Sequence, residues 1–212
     1  MNVKSKKLIL LLSFIFLFFL LTILVKFVDV RTIELTNSNI GLYFINKINL
    51  DIEYNEIFDK LSDLFMCFSI FLIAIFGCVG VFQLMKYKSL FKVEKKLVIL
   101  GAFIGAMFAI WIAFDKFLVI NNRPVLVDGN IEPSYPSTHI MIVTFTLLSS
   151  CFYINKNKNI YWGAILCIAL CFIFRLLSGM HWVSDCIGGI LAGLILYYGY
   201  LYTCEKMSTE KR

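Results

Sequence analysis

Residues 8–27 read LILLLSFIFLFFLLTILVKF, an apolar run in which the first charge is Lys26. A helix rises about 1.5 Å per residue, so about 20 such residues cross the hydrocarbon core of a bilayer. The run follows Lys4, Lys6 and Lys7, as the apolar part of a signal peptide would. It is longer than the roughly 7–15 apolar residues of such a peptide and has no small-residue cleavage site. It predicts a retained transmembrane helix.

The rest of the chain repeats that pattern. Of 212 residues, 60% are hydrophobic and 16% charged, with a mean hydropathy of +0.83, whereas soluble domains carry about 25% charged residues. Further apolar runs at about 61–85, 97–120, 138–154, 160–177 and 181–203 predict an all-α integral membrane bundle of six transmembrane helices, a single domain over 1–212. The short connections make sequential helices antiparallel neighbours, and Gly179 supplies a helix stop. The polar stretch 28–60 is expected to be an outer loop, its scattered apolar residues lying along the membrane surface near the site.

The net charge of +6 falls in short lysine clusters between apolar runs, which speaks for membrane topology and against nucleic-acid binding. With the N-terminus in the cytoplasm and each run crossing once, Lys4, Lys6, Lys7, Lys86, Lys88, Lys92, Lys95, Lys96, Lys156, Lys158, Lys206, Lys211 and Arg212 fall inside. Both termini are therefore expected in the cytoplasm. Lys116, Arg123 and Arg175 remain on the outer side and need another explanation. The seven cysteines have no CxxC pair and no metal-ligand spacing; they read as small buried hydrophobes without disulfides.

The outer-side exceptions gather with other scarce polar residues. Lys116 and Arg123 are seven apart and share a face if the helix continues, although Pro124 favours an extended Arg123. Ser137 is placed to cap the fourth run, and a helix start of this kind, with Thr138 and its free amides, is an anion site. His181 and Asp185 are spaced i, i+4, close enough for the carboxylate to hold an imidazole N–H. Both histidines of the chain, His139 and His181, occur in this group. Three cations, two imidazoles, one carboxylate and a helix start describe a phosphate site: cations and amides spread the charge of a transferring phosphoryl group while imidazoles attack and protonate. A metal site from His139, His181 and Asp185 lacks a further strong ligand, and the arginines repel a cation. Asp115 reads as the ion-pair partner of Lys116 or an interface residue, Asp128 and Glu132 as solvated loop charges, and Trp111, Trp162 and Trp182 as anchors or packing.

The segments KFLVINNRP (116–124), PSTH (136–139) and RLLSGMHWVSD (175–185) resemble, in order and spacing, the three motifs of the type-2 phosphatidic acid phosphatases, a membrane branch of the acid phosphatase and vanadium-dependent haloperoxidase superfamily. Thr138 stands where the second motif usually has glycine, and Phe174 where a serine usually precedes the third-motif arginine. The resemblance implies a lipid phosphatase on the extracytoplasmic face, acting without metal or cofactor through a phosphohistidine. His181 would be the nucleophile oriented by Asp185, His139 the general acid, and Lys116, Arg123, Ser137, Thr138 and Arg175 the phosphate cradle. Phosphatidate, phosphatidylglycerophosphate and polyprenyl pyrophosphate are the substrates it implies. Two other readings use the same residues: a non-catalytic lipid-phosphate binder or transporter, which has no need of Asp185, and a phosphotransferase with an acceptor other than water.

Overall fold

The computed structural model describes residues 3–33, 38–50, 52–127, 129–154 and 157–209; Asp128, Lys156, Lys211 and Arg212 lie outside the described residues. The chain is an all-α membrane bundle. Helix α1 spans Val3–Phe27, α2 Tyr43–Asn46, α3 Glu56–Tyr87, α4 Lys95–Ile112, α5 Thr138–Ile154, α6 Lys158–Leu177 and α7 Val183–Thr209. Five of the six long helices have the length and apolarity to cross a bilayer. The other, α5, has 17 residues, about 26 Å of helix, and is buried along its whole course from Ile140 to Cys151.

That helix is the axis of the bundle, packed against α3, α4, α6 and α7, with α1 lying along α7. Its apolarity therefore meets protein on all sides, whereas α1, α3 and α4 turn most of their apolar side chains outward, where a membrane protein meets lipid. Cys67 and Cys78 belong to that outward face of α3, so the expectation of burial fails for them, while all seven cysteines are free thiols. Close approach of α7 to α5 depends on glycine: a Cβ on Gly193 would lie 2.7 Å from Thr144 Cβ.

Element ends sort to two sides. At one, Lys7 pairs with Glu205, and the Tyr153 hydroxyl donates to Glu94 at 2.6 Å. At the other, the ends of α1, α3, α4, α5, α6 and α7 meet: Lys26 donates to the Val119 carbonyl, the Asn55 N–H to the Ser178 carbonyl and the Ser137 N–H to the Asp185 carbonyl. Helix α3 starts five residues before the expected 61, because the Asn55 carboxamide oxygen accepts the Ile57 and Phe58 N–H groups and caps it. The segment between α1 and α3 carries structure beyond the expected loop. Strands β1 (Arg31–Ile33) and β2 (Ser38–Ile40) pair antiparallel, with Arg31 opposite Ile40, and α2 follows in contact with α7.

Candidate active site

The turn from α6 to α7 carries His181 into the bundle. Gly179 adopts φ +72°, open to glycine, and a Cβ there would stand 3.0 Å from the Ile52 carbonyl oxygen. Beneath this turn, Asn46 of α2 is fully buried; its carboxamide nitrogen donates to Ser184 Oγ and the Gly41 carbonyl, each at 2.8 Å, and its oxygen accepts the Ser184 N–H at 3.1 Å. Helix α7 begins only at Val183, so His181 precedes the helix instead of sharing its first turn with Asp185. The buried Asp185 carboxylate accepts the Trp182 N–H at 3.0 Å and the Asn121 carboxamide N–H at 3.3 Å. His181 Nδ1 stands 3.6 Å from it, beyond hydrogen-bond range, and has no other partner.

The start of α5 is tied to the same place. The Ser137 N–H donates to the Asp185 carbonyl at 2.9 Å, and the Ser137 carbonyl accepts the Met141 N–H at 3.0 Å. Gly189 permits the contact, since a Cβ there would fall 2.6 Å from the Ser137 oxygen. The Ser137 hydroxyl is buried without a partner, so it does not close the N-cap bond expected of it and stays available as a donor. One residue past Thr138, His139 hydrogen-bonds through Nε2 to Asp63 of α3 at 2.8 Å.

The three cations differ. Arg175 is 1% exposed and donates through Nη1 to Asp59 Oδ1 and to Ser62 Oγ, leaving its buried Nε without a partner. Arg123 pairs through Nη2 with Glu132 at 3.2 Å, again with a buried unpartnered Nε. Helix α4 passes into a π-helical turn at Ala113–Phe117 and ends, so Lys116 and Arg123 do not share a helix face. Arg123 instead sits in an extended segment whose N–H donates to the Glu132 carbonyl at 2.9 Å. Lys116 is 70% exposed and pairs with Asp115 at 2.8 Å, the partner expected for it; Glu132, by contrast, is no free loop charge.

A cavity of about 430 Å³ opens among these groups. Lys116, Arg123, Thr138, His139 and His181 line its polar part, and Met66, Ile70, Phe108, Trp111 and Phe114 of α3 and the α4 end line its apolar part. Arg175, Ser137 and Asp185 are buried, Arg175 reaching His139's partner Asp63 at 3.9 Å and Ser137 touching the Asp185 carbonyl. Burial lowers the His181 pKa well below the ordinary imidazole value, with Arg175, Arg123 and His139 adding to the shift and the Ser134 backbone opposing it. His181 is thus held neutral, its lone pair free to act on an electrophile. Burial also depresses the Arg123 guanidinium, against the pull of Glu132.

Sequence reasoning missed Asp59, Ser62 and Asp63 on α3, the brace residue Asn46, and Asn121. The signal for Asp63 was its position inside an apolar span, where an ionisable side chain is costly and therefore functional by default. Trp182, an expected anchor or packing residue, is buried with its indole N–H on the Asn122 carbonyl at 2.7 Å.

The family model described as the PAP2 superfamily matches residues 113–208, the segment that holds the site residues between the end of α4 and α7. The chain matches no curated protein sequence. Among solved structures it is similar to the crystal structure of a transmembrane PAP2-type phosphatidylglycerolphosphate phosphatase from Bacillus subtilis, with a TM-score of 0.65 over 92% of this chain and 96% of that one, at 16% identity. At that identity the likeness establishes a shared fold.

Proposed function

We propose that the chain, matched over residues 113–208 by the PAP2 superfamily model, is a membrane lipid phosphatase of that superfamily that hydrolyses a phosphate monoester or pyrophosphate of a lipid through a phosphohistidine on His181. One observation carries the reading: four of the groups that meet at the site each present a buried polar atom without a partner. Arg123 Nε, Arg175 Nε, Ser137 Oγ and His181 Nδ1 are all of this kind. An unpaired buried donor costs about 1–3 kcal/mol, and a tetrahedral oxyanion would satisfy several at once. Fixed donors around developing phosphoryl charge supply most of the catalysis in such transfers.

In the proposed cycle, neutral His181 forms a bond to phosphorus as the bond to the leaving oxygen breaks and its electron pair passes to that oxygen. His139 delivers a proton there. Asp185 offsets the positive charge that His181 acquires. A water then gives a proton to His139 and attacks phosphorus, the P–N electron pair returns to His181, and inorganic phosphate leaves. The guanidiniums and the start of α5 hold the phosphoryl oxygens throughout, so the cycle needs no metal. The apolar part of the cavity takes lipid, and the same headgroup chemistry serves phosphatidate, phosphatidylglycerophosphate and polyprenyl pyrophosphate. The lysine clusters at the opposite end of the bundle support a cell-membrane orientation with both termini in the cytoplasm and the site on the extracytoplasmic side.

The test is phosphate release by purified protein from a panel of these three lipids, with EDTA and with vanadate. Release from at least one, unaffected by EDTA, blocked by vanadate and lost by about 10⁴-fold or more in His181→Ala, is the expected result. A His181→Ala protein with wild-type turnover, or wild type that binds these lipids without releasing phosphate, overturns it.

A further inference from the structure

We infer that Asp63 is a positioning residue for the general acid: it holds His139 through Nε2 and so leaves Nδ1 to serve the substrate. This inference rests on the phosphatase reading of the same site. The site then contains two imidazole–carboxylate pairs with different tasks, Asp185 behind the nucleophile and Asp63 behind the acid.

Four observations support it. The Nε2 to Asp63 Oδ1 distance is 2.8 Å, a full hydrogen bond, whereas the Asp185 pair stands at 3.6 Å. Asp63 is not spent on a stronger partner, for its distance to Arg175 is 3.9 Å and the Arg175 Nη1 donates instead to Asp59 and Ser62. Helix α3 is docked at this level by aromatic contacts: Phe58 stacks on Phe174 with ring centroids 5.9 Å apart, and Phe65 meets the same ring at 6.1 Å. Phe174 is thus the residue against which the helix bearing Asp63 is seated. Finally, the charged groups acting on His139 besides Asp63 are Arg175 from α6 and Arg123 from the loop before α5, while His181 on the turn before α7 faces it as a neutral ring. Burial first, and the guanidiniums after it, oppose a proton on the ring, so Asp63 is the carboxylate that counters them.

The chemistry follows. In the first half-reaction the Nδ1 proton of the His139 imidazolium passes to the leaving oxygen as that oxygen receives the P–O electron pair. In the second, Nδ1 takes a proton from the attacking water, and the ion pair with Asp63 forms again. A carboxylate within about 4–6 Å raises an imidazole's proton affinity by about one unit or more. Its loss therefore matters most where the leaving group depends on protonation.

The experiment compares wild type, Asp63→Asn and His139→Ala in detergent. It measures the ratio of kcat/KM for dioctanoyl phosphatidate, whose alkoxide needs a proton, to that for p-nitrophenyl phosphate, whose phenolate does not. The ratio is independent of the fraction of folded enzyme, so partial misfolding of a variant leaves the result readable. The expected outcome is a fall of the ratio by about tenfold in Asp63→Asn and by more in His139→Ala, with the alkaline limb of the phosphatidate profile moved about one pH unit lower in Asp63→Asn. An unchanged ratio and limb in Asp63→Asn beside a collapsed ratio in His139→Ala overturns the role of Asp63 alone. An unchanged ratio in both overturns the general-acid assignment, and wild type inert on both substrates and on phosphatidylglycerophosphate and polyprenyl pyrophosphate overturns the phosphatase reading, the inference falling with it in either case.

Discussion

The two histidines share a cavity but are held by different parts of the molecule. His181 sits in a backbone-built corner: the Gly179 turn, the Asn46 brace and the contacts of α7 with α5 fix it, and only 3% of it is exposed. His139 stands on the central helix but takes its side-chain bond from α3, whose outward face meets lipid along most of its length. The corner is packed protein; the α3 side is a helix seated through aromatic rings and ion pairs. A nucleophile profits from the first arrangement, because burial keeps it neutral. A proton donor profits from the second, because a carboxylate beside a partly accessible ring lets it exchange protons with water and substrate.

If that division of labour holds, the largest contrast after loss of His181 itself comes from His139→Ala. It should lower kcat on an alkyl phosphate by about 10² to 10⁴ while still trapping phosphate on His181 when the leaving group is p-nitrophenolate. Rapid quenching of that variant, followed by detection of acid-labile protein-bound phosphate, checks it. A His139→Ala enzyme that forms no adduct from either substrate would place His139 on the attack side and erase the distinction.

Next in size is the brace. Asn46→Ala leaves the buried Ser184 N–H and Gly41 carbonyl without their side-chain partner, and each such group costs about 1–3 kcal/mol. The expected result is a lower thermal midpoint, and a lower kcat with KM little changed, because His181 is displaced while the guanidiniums stay in place. A variant with the wild-type midpoint and kcat would show that the α2 segment merely rests on the site.

Much of this was legible in the sequence, for a physical reason. Polar side chains are so costly in a span that the few present must be used, so the segments around Lys116–Arg123, Ser137–His139 and Arg175–Asp185 stood out, and the cavity is lined from all three. The α3 contribution stayed hidden because an ion pair between helices has no local signature: Asp59 and Asp63 are separated from Arg175 and His139 by 116 and 76 residues. The start of α3 was misplaced because Glu56, Asp59 and Lys60 look like loop. In the first turn, however, acidic residues suit the helix dipole and Asn55 supplies the cap. Strands β1 and β2, three residues each, are too short to show alternation, and Lys116 and Arg123 converge through a loop instead of along a helix.

The buried corner around His181 also sets its response to pH. The His181 pKa is depressed, so the neutral nucleophile persists below the ordinary imidazole value of about 6.5, and the acid limb of kcat/KM assigned to it lies below that pH. The sign for stability is opposite to that of a salt-bridged histidine. Below about 6.5 the unfolded chain binds a proton that folded His181 refuses, so this residue makes stability fall as pH drops through that window. In His181→Gln that part of the acid sensitivity disappears, which thermal midpoints across pH 5–8 would register; an unchanged slope would mean that His181 is protonated in the fold.

The smallest effect belongs to Lys116, the cation most unlike Arg123 and Arg175. Its ammonium is exposed and paired with Asp115 at the cavity mouth, so it acts on an approaching lipid phosphate through water and salt. Screening over about 8–10 Å at physiological ionic strength leaves such a charge a modest influence. Lys116→Ala should raise KM about threefold at low salt, with kcat nearly constant. The unpaired Asp115 carboxylate contributes to that loss by repelling the substrate, and Asp115→Asn in the same chain should recover part of it. At about 0.5 M salt, where the screening length is a few ångströms, the difference should vanish. If kcat instead falls by about a hundredfold and salt has no effect, Lys116 contacts the phosphoryl group in the bound state, and the end of α4 must fold inward when substrate arrives.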